Sequence, residues 1–495
     1  MSTVDANSPV LVGVGTATQD APAGDGDAAI GLMVAATRRA GDDSGARAIL
    51  TRVERILVTQ GTWKAPDAGR SIARAIGAPN ARSIFVQLGI PQQALIDQAL
   101  AAIARGEIEV ALVVGGEAKA RDDRARRAGI ALAPTEDPGA QPDEVQTPLT
   151  EIIAAAELAV GLVVPVQQYA TIDNALRAAE HKSIAEHTAE VDALWSRFDA
   201  VAATNPDAAF AGPRTAAQLR EVTADNRMLA FPYNKWHATQ WSVDQAGALL
   251  FCSPRVADEL GIDRERRVHP LVSLESSHSL SLSKRADLHR WQAMRVLGTA
   301  AEAHLGQALR DLDLVELYSC FPAAVRVQQR ELDLPLDGTP TITGGMPFAG
   351  GPFNNFVFQA TAAMVQRLRA EPGARGLVTT VSGLLTKPGL AVWSTDPGDR
   401  APLLADLGVD AAAATPERDV VDDHHGEAVI ASYTVRATTS GEPEVVAVLD
   451  TAEGARAVVV IADPDLATEA STGGPGGAVE LIGRSVKVSG TAATP

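Results

Sequence analysis

The chain has 495 residues, 46% apolar and 21% charged, a globular composition on a length that exceeds one hydrophobic core, so two or three domains are expected. The 61 Asp and Glu residues outnumber the 43 Lys and Arg, and the resulting formal charge of −18 excludes a nucleic-acid partner. Only Cys252 and Cys320 are present, each beside a phenylalanine, which excludes a disulfide framework and fits a buried pair in a reducing cytoplasm.

In chain order, residues 10–16 and 56–59 read as short buried strands with an apolar helix over 28–39 between them. A strand near 84–88, a turn at Gly89, a helix over 91–104 and a strand over 110–114 ending in Gly115-Gly116 continue the alternation of an α/β sheet. The stretch 119–240 has helical periodicity with scattered Pro and Trp, and is expected to form an inserted helical lobe. Its most apolar part, 152–166, is broken by Glu157 and Pro165 and is too short for a membrane span. The opening residues show no basic segment leading into an apolar run, so no secretion signal is expected.

Strand signal returns at 246–252, and 268–274 opens a second α/β series with a helix over 291–309, a strand over 314–317 and a helix over 323–332. The glycine-rich turn Gly344 to Pro352 then leads through Asn354-Asn355 into a helix ending near Arg369 and a strand over 377–381. This repeats the pattern around Gly89, which implies two halves about a pseudo-twofold axis. Residues 396–427 are rich in Pro, Ala and Asp and are expected to be a linker or partly helical connector. Five short β runs follow at 429–436, 445–449, 457–461, 479–482 and 486–488, the spacing of a small antiparallel barrel or sandwich.

Taken in order, Val86-Gln87-Leu88-Gly89, Val113-Val114-Gly115-Gly116-Glu117, Glu316-Leu317-Tyr318-Ser319-Cys320-Phe321 and Gly344-Gly345 through Gly350-Gly351-Pro352 resemble the landmarks of the thiolase superfamily over residues 8–395. The resemblance is greatest to actinobacterial type 1 thiolase-like proteins, commonly named acetyl-CoA acetyltransferases and related to the sterol-carrier-protein thiolases. It implies an α/β fold of five layers, αβαβα, duplicated, with a helical insertion and a C-terminal antiparallel β-barrel domain that ordinary thiolases lack. The implied division is 1–118 with 241–262 as the first half, 119–240 as the lobe, 263–400 as the second half, 401–427 as a linker and 428–495 as the barrel.

A thiolase requires a cysteine nucleophile, because a thioester intermediate splits acyl transfer into two accessible steps. The resemblance places Gly89 there. The histidine of the family's Gly-His-Pro motif corresponds to Gly351, and the second cysteine to Thr380 or Val381. Tyr318 stands where the family carries a water-holding Asn or His, and some thiolase-like retro-aldolases have Tyr at this position. A catalytic Tyr318 stands against a packed tyrosine whose hydroxyl is merely hydrogen-bonded. Gly89, Gly350 and Gly351 precede helix starts whose free backbone N–H groups hold anions without side chains, or else serve close packing at the axis.

Asn354, Asn355 and Thr386-Lys387 flank these loops as candidate polar contacts, and Lys235-Trp236 is the candidate coenzyme A edge. Asp422-Asp423-His424-His425 and the pair His181 and His187 lack metal-site spacing, so no metal is expected. The leading expectation is a thiolase-like protein related to acyl-CoA or lipid, without thiolase activity and without a resident cofactor, whose ligand is coenzyme A or an acyl-CoA. The alternatives are an active retro-aldolase or acyltransferase using Tyr318, and a scaffold whose barrel docks a protein partner. Either a monomer or a dimer is compatible with this reading.

Overall fold

The computed structural model describes residues 8–132, 140–149, 152–210, 212–472 and 477–494. Strands β1 (Val10–Thr18), β2 (Arg55–Thr59), β3 (Arg82–Val86) and β4 (Val110–Ala118) alternate with helices α1 (Ala29–Asp43), α2 (Ala68–Ile76) and α3 (Gln92–Ala104). The strands are apolar on both faces because both faces are covered, which is why they read as runs rather than alternations. Residues 119–240 form α4 (Lys119–Arg127), β5 (Glu144–Gln146), α5 (Ala155–Ala159), α6 (Pro165–Ala179), α7 (Ile184–Ala202), α8 (Ala216–Arg220), β6 (Met228–Ala230) and β7 (Tyr233–Asn234), before the chain returns in β8 (Asp244–Cys252) and α9 (Pro254–Glu259).

The second half comprises β9 (His269–Glu275), α10 (Gln292–Leu305), β10 (Leu314–Glu316), α11 (Pro322–Glu331), α12 (Phe356–Ala370), β11 (Arg375–Ser382) and β12 (Lys387–Ser394). Its sheet order β10-β11-β12-β9 matches β2-β4-β8-β1 of the first sheet, with the same parallel first pair and the same two antiparallel pairs. The duplication inferred from the two glycine turns is therefore a duplication of topology.

The layers run α1 and α2, first sheet, α3 and α12, second sheet, α10 and α11. Helices α3 and α12 lie between the sheets and bury almost their whole circumference, as a helix apolar all round must. Close approach of α12 to the first sheet is set by glycine. A Cβ on Gly247 would lie 3.0 Å from the Gln359 backbone nitrogen of α12, and one on Gly115 2.5 Å from Asn355 Oδ1.

Two expectations are corrected. Residues 401–427 are not a bare linker: β13 (Leu403–Asp406) adds a parallel edge strand beside β9, α13 (Gly408–Ala414) packs on α10, and β14 (His424–Ala437) starts within this stretch. In the barrel, β14, β15 (Pro443–Thr451), β16 (Arg456–Ile461), β17 (Ser485–Gly490) and β18 (Ala492–Thr494) close a five-stranded ring with α14 (Pro464–Ser471). Residues 479–482 are not a strand; Leu481 instead plugs the barrel core. The ring is antiparallel except where it closes, at a single parallel contact between Val460 and Ala492.

The barrel is fixed to the lobe. Asn174 Nδ2 of α6 donates to Tyr433 O at 3.0 Å, Ser432 Oγ to Thr171 O at 2.6 Å, and the Phe231 amide to Val435 O at 2.9 Å. Arg436 reaches the carbonyls of Val160 and Gly161. Among the described residues no helix is long and apolar enough to cross a membrane.

Candidate functional site

The N-termini of α3 and α12 meet between the sheets, and the sequence candidates gather there. Gln92, the first residue of α3, accepts from the Val357 amide of α12 at 2.9 Å. Asn354, at φ 54°, donates from Nδ2 to Gln60 O at 3.1 Å, tying α12 to the first half. Asn355 is fully buried beside Gly115 and Thr59, and neither end of its amide has a hydrogen-bond partner among the described residues.

Gly89 has φ 101°, a region that L side chains rarely adopt, and a Cβ there would lie 3.1 Å from the Pro148 ring. Its carbonyl accepts from Lys387 Nζ. Burial lowers the Lys387 ammonium below its ordinary value, while nearby Glu275 opposes this. Gly350 has φ 105° and approaches the Gln245 side chain. At Gly351 a Cβ would stand 2.0 Å from Thr239 Oγ1 and 3.0 Å from Met346 Cβ, so the space an imidazole would need is filled. The Gly351 amide donates to Gln240 O at 3.0 Å, so it is not a free anion donor. Thr380 and Val381 are buried in β11, and Thr380 Oγ1 has no partner among the described residues.

Tyr318 stands at the end of β10. Its amide donates to Thr379 Oγ1 at 2.9 Å, its ring meets Phe356 edge-on at 5.9 Å, and its hydroxyl is hydrogen-bonded with Gln92. Burial first, and then the neighbouring Cys320, push the phenol far above its ordinary value, with the Gln92 bond opposing. The phenol therefore keeps its proton throughout the neutral range. Cys320, which is hydrogen-bonded with Tyr169, is pushed up to about 12 by burial, as is Cys252. Neither thiol supplies a thiolate nucleophile.

Lys235 and Trp236 form a short turn whose ring face is already occupied. The Arg214 guanidinium lies 3.8 Å from the indole centroid, and Phe348 of the glycine-rich loop stacks at 6.3 Å. They brace that loop. A separate acidic cavity of about 370 Å³ is lined by Asp97 of α3, Glu275 of β9 and Asp406 of β13, with Arg55 and Arg105. Burial raises Asp97 to about 7, and burial together with Asp97 holds Glu275 well above the carboxylate range. No group of three metal-ligating side chains converges among the described residues, and His425 simply pairs with Asp423 at 3.0 Å.

Sequence reasoning missed Gln92, Thr239 and Gln245. Gln92-Gln93 gave a usable signal, two amides opening an otherwise apolar buried helix; Thr239 and Gln245 gave none, since their roles come from the loop that returns from the lobe and from the first residues of β8 that follow it.

No family model matches the chain, and a search of the curated proteins finds no match. Among solved structures, a monomeric SCP2-thiolase-like protein type 1 from Mycobacterium smegmatis is 28% identical, with TM-score 0.83 over 99% of this chain and 98% of that one. An Ltp2-ChsH2(DUF35) aldolase is 19% identical at TM-score 0.58 over 80% of this chain and 98% of that one. Human mitochondrial 3-ketoacyl-CoA thiolase in complex with CoA is 17% identical at TM-score 0.56 over 79% and 99%.

Proposed function

Because this chain belongs by its fold to the thiolase superfamily, we propose that it is an acyl-CoA-related binding protein that does not perform the thiolase reaction. The observation that carries this reading is the packing at Gly351: Thr239 Oγ1 occupies the room of a catalytic imidazole. Gly89 adds to it, because its positive φ disfavours any side chain where the nucleophile would stand. Reintroducing the two residues therefore requires more than two codons. The buried, unpartnered amide of Asn355 supports retained binding, since a polar group left unsatisfied in the interior calls for a partner.

The test is calorimetric titration of coenzyme A, acetyl-CoA and a long-chain acyl-CoA into the full chain, followed by assay of the same mixtures for product. Saturable binding without product is expected, and the Gly89→Cys/Gly351→His variant is expected to remain inactive in thiolysis. Thioester cleavage by the purified chain, lost on Asn355→Ala, overturns the reading.

A second reading, carbon–carbon bond cleavage on an acyl-CoA, would use Tyr318, which is hydrogen-bonded with Gln92 where α3 and α12 meet; burial raises this phenol far above its ordinary value and so weakens it as an acid, and catalysis would require substrate binding to lower it. The aldolase among the structural neighbours is compatible with it. Retro-aldol turnover that falls at least about 100-fold in Tyr318→Phe would establish this reading; turnover unchanged in that variant rules the tyrosine out.

A further inference from the structure

A cavity of about 800 Å³ lies where the lobe meets the barrel, away from the crevice of Gly89 and Tyr318, and nothing above assigns it a role. Its volume is that of a small-molecule site, and junctions between domains are where such sites concentrate. Its lining combines two chemistries. On one side are Arg177, Lys182 and Arg220; on the other are Ile184, Met228 and Phe231. Among the described residues Glu480 is the one carboxylate in the lining, in a protein with a formal charge of −18.

The cations are not equivalent. Lys182 is paired with Glu180 and Glu190, and Arg220 with Asp192, so each lining cation is held in place by carboxylates that are not themselves in the lining. Arg177 is 3% exposed; its Nη1 donates to Lys182 O at 3.1 Å and pairs with Glu480 at 2.5 Å, while Nε and Nη2 have no partner among the described residues. A buried guanidinium with two idle donors carries the full cost of their desolvation unless something accepts from them.

The start of α7, a helix of 19 residues, borders the same space through Ser183, Ile184 and Ala185, and its end is closed by a capping box in which the Ser183 amide and hydroxyl donate to the Glu186 carboxylate, so the helix start fixes the wall and is not itself the anion site. Two cationic side chains and a buried arginine on one side of the space match a dianion better than a monoanion.

We propose that this cavity binds a phosphate monoester carrying an apolar group, with the phosphate at Arg177, Lys182 and Arg220, and the apolar part against Met228 and Phe231. Octyl phosphate, octanoate and inorganic phosphate serve as probes in calorimetric titrations of the full chain at low and high salt. Octyl phosphate is expected to saturate and to bind at least about tenfold more tightly than inorganic phosphate, the gain coming from the buried alkyl chain. Its affinity should fall with added salt, and by about tenfold or more in Lys182→Gln and in Arg220→Gln, both surface-accessible changes that spare the buried Arg177.

Three results overturn the proposal: no saturable binding of octyl phosphate up to millimolar concentration, octanoate binding as tightly as octyl phosphate, or unchanged affinity in a folded Lys182→Gln/Arg220→Gln double variant.

Discussion

At the residue scale, the glycines of the candidate site differ in kind. Gly351 is demanded by contact, since its neighbours Thr239 and Met346 occupy the Cβ position, whereas Gly89 is demanded by backbone conformation. Gly351→Ala is expected to cost on the order of 1–3 kcal/mol through overpacking, read as a lower urea midpoint at unchanged slope; no loss would mean that Thr239 simply rotates aside. Asp97 supplies a pH signature. Its folded value is raised from 3.8 to about 7 by burial, so between about pH 4 and 7 the folded chain holds a proton that the unfolded chain has released. The native state then binds more protons, and stability falls as pH rises through that window. Asp97→Asn should shrink the stability lost between pH 5 and 8 by on the order of 1–2 kcal/mol. The slope will not vanish, because Glu117 and Glu316 are also raised to about 7 by burial and stay in the variant. An identical pH slope in both proteins would exclude Asp97 as a contributor.

At the element scale, β5 decides what the first sheet can do. Strand β3 pairs with β2 on one side and with β5, from the lobe, on the other, so this five-residue strand is not an open edge. The outermost strand is only three residues long and carries Glu144, two of the devices by which sheets avoid pairing with another chain. The chain is therefore expected to sediment as a monomer, and Val145→Pro, which removes an N–H from β5, to shift it toward self-association; a wild-type dimer would show that another surface associates.

The same elements show where sequence is informative. The long apolar strands and both helices between the sheets were legible because two covered faces enforce continuous apolar runs. Strand β12 escaped notice because Pro388-Gly389 interrupts it, β13 because four residues sit in a Pro- and Asp-rich stretch, and β18 because Ala492-Ala493-Thr494 has no strand signature at all. The apolar run at 479–482 misled for the opposite reason: Leu481 is buried by barrel closure without pairing. At the candidate site, motif order located Gly89, Tyr318 and Gly351, but not Thr239 or Gln245, whose neighbours are a hundred residues distant in sequence.

For the whole molecule, the barrel is part of the wall of the lobe. Buried bonds from α6 and from Phe231 reach β14 directly, and Tyr433 stacks on Phe231 at 5.9 Å. Any partner would meet the sides of the barrel left over from this packing. Asn174→Ala leaves the Tyr433 carbonyl without its donor and should cost on the order of 1–3 kcal/mol, with barrel and core still unfolding in one transition by circular dichroism and tryptophan fluorescence; two separated transitions would show the barrel to be an independent unit.

The order of strands also constrains how the chain can be made. Strand β8 lies between β1 and β4, which do not pair with each other, so β1 waits from Thr18 until Asp244 before its neighbour exists. At synthesis rates of roughly 5–20 residues per second that interval is about 10 to 45 seconds. During it an apolar strand near the ribosome has no sheet partner of its own, and the first half cannot finish folding before the lobe has been translated. Chaperone dependence in the cell should therefore be concentrated early in the chain, well before the barrel emerges.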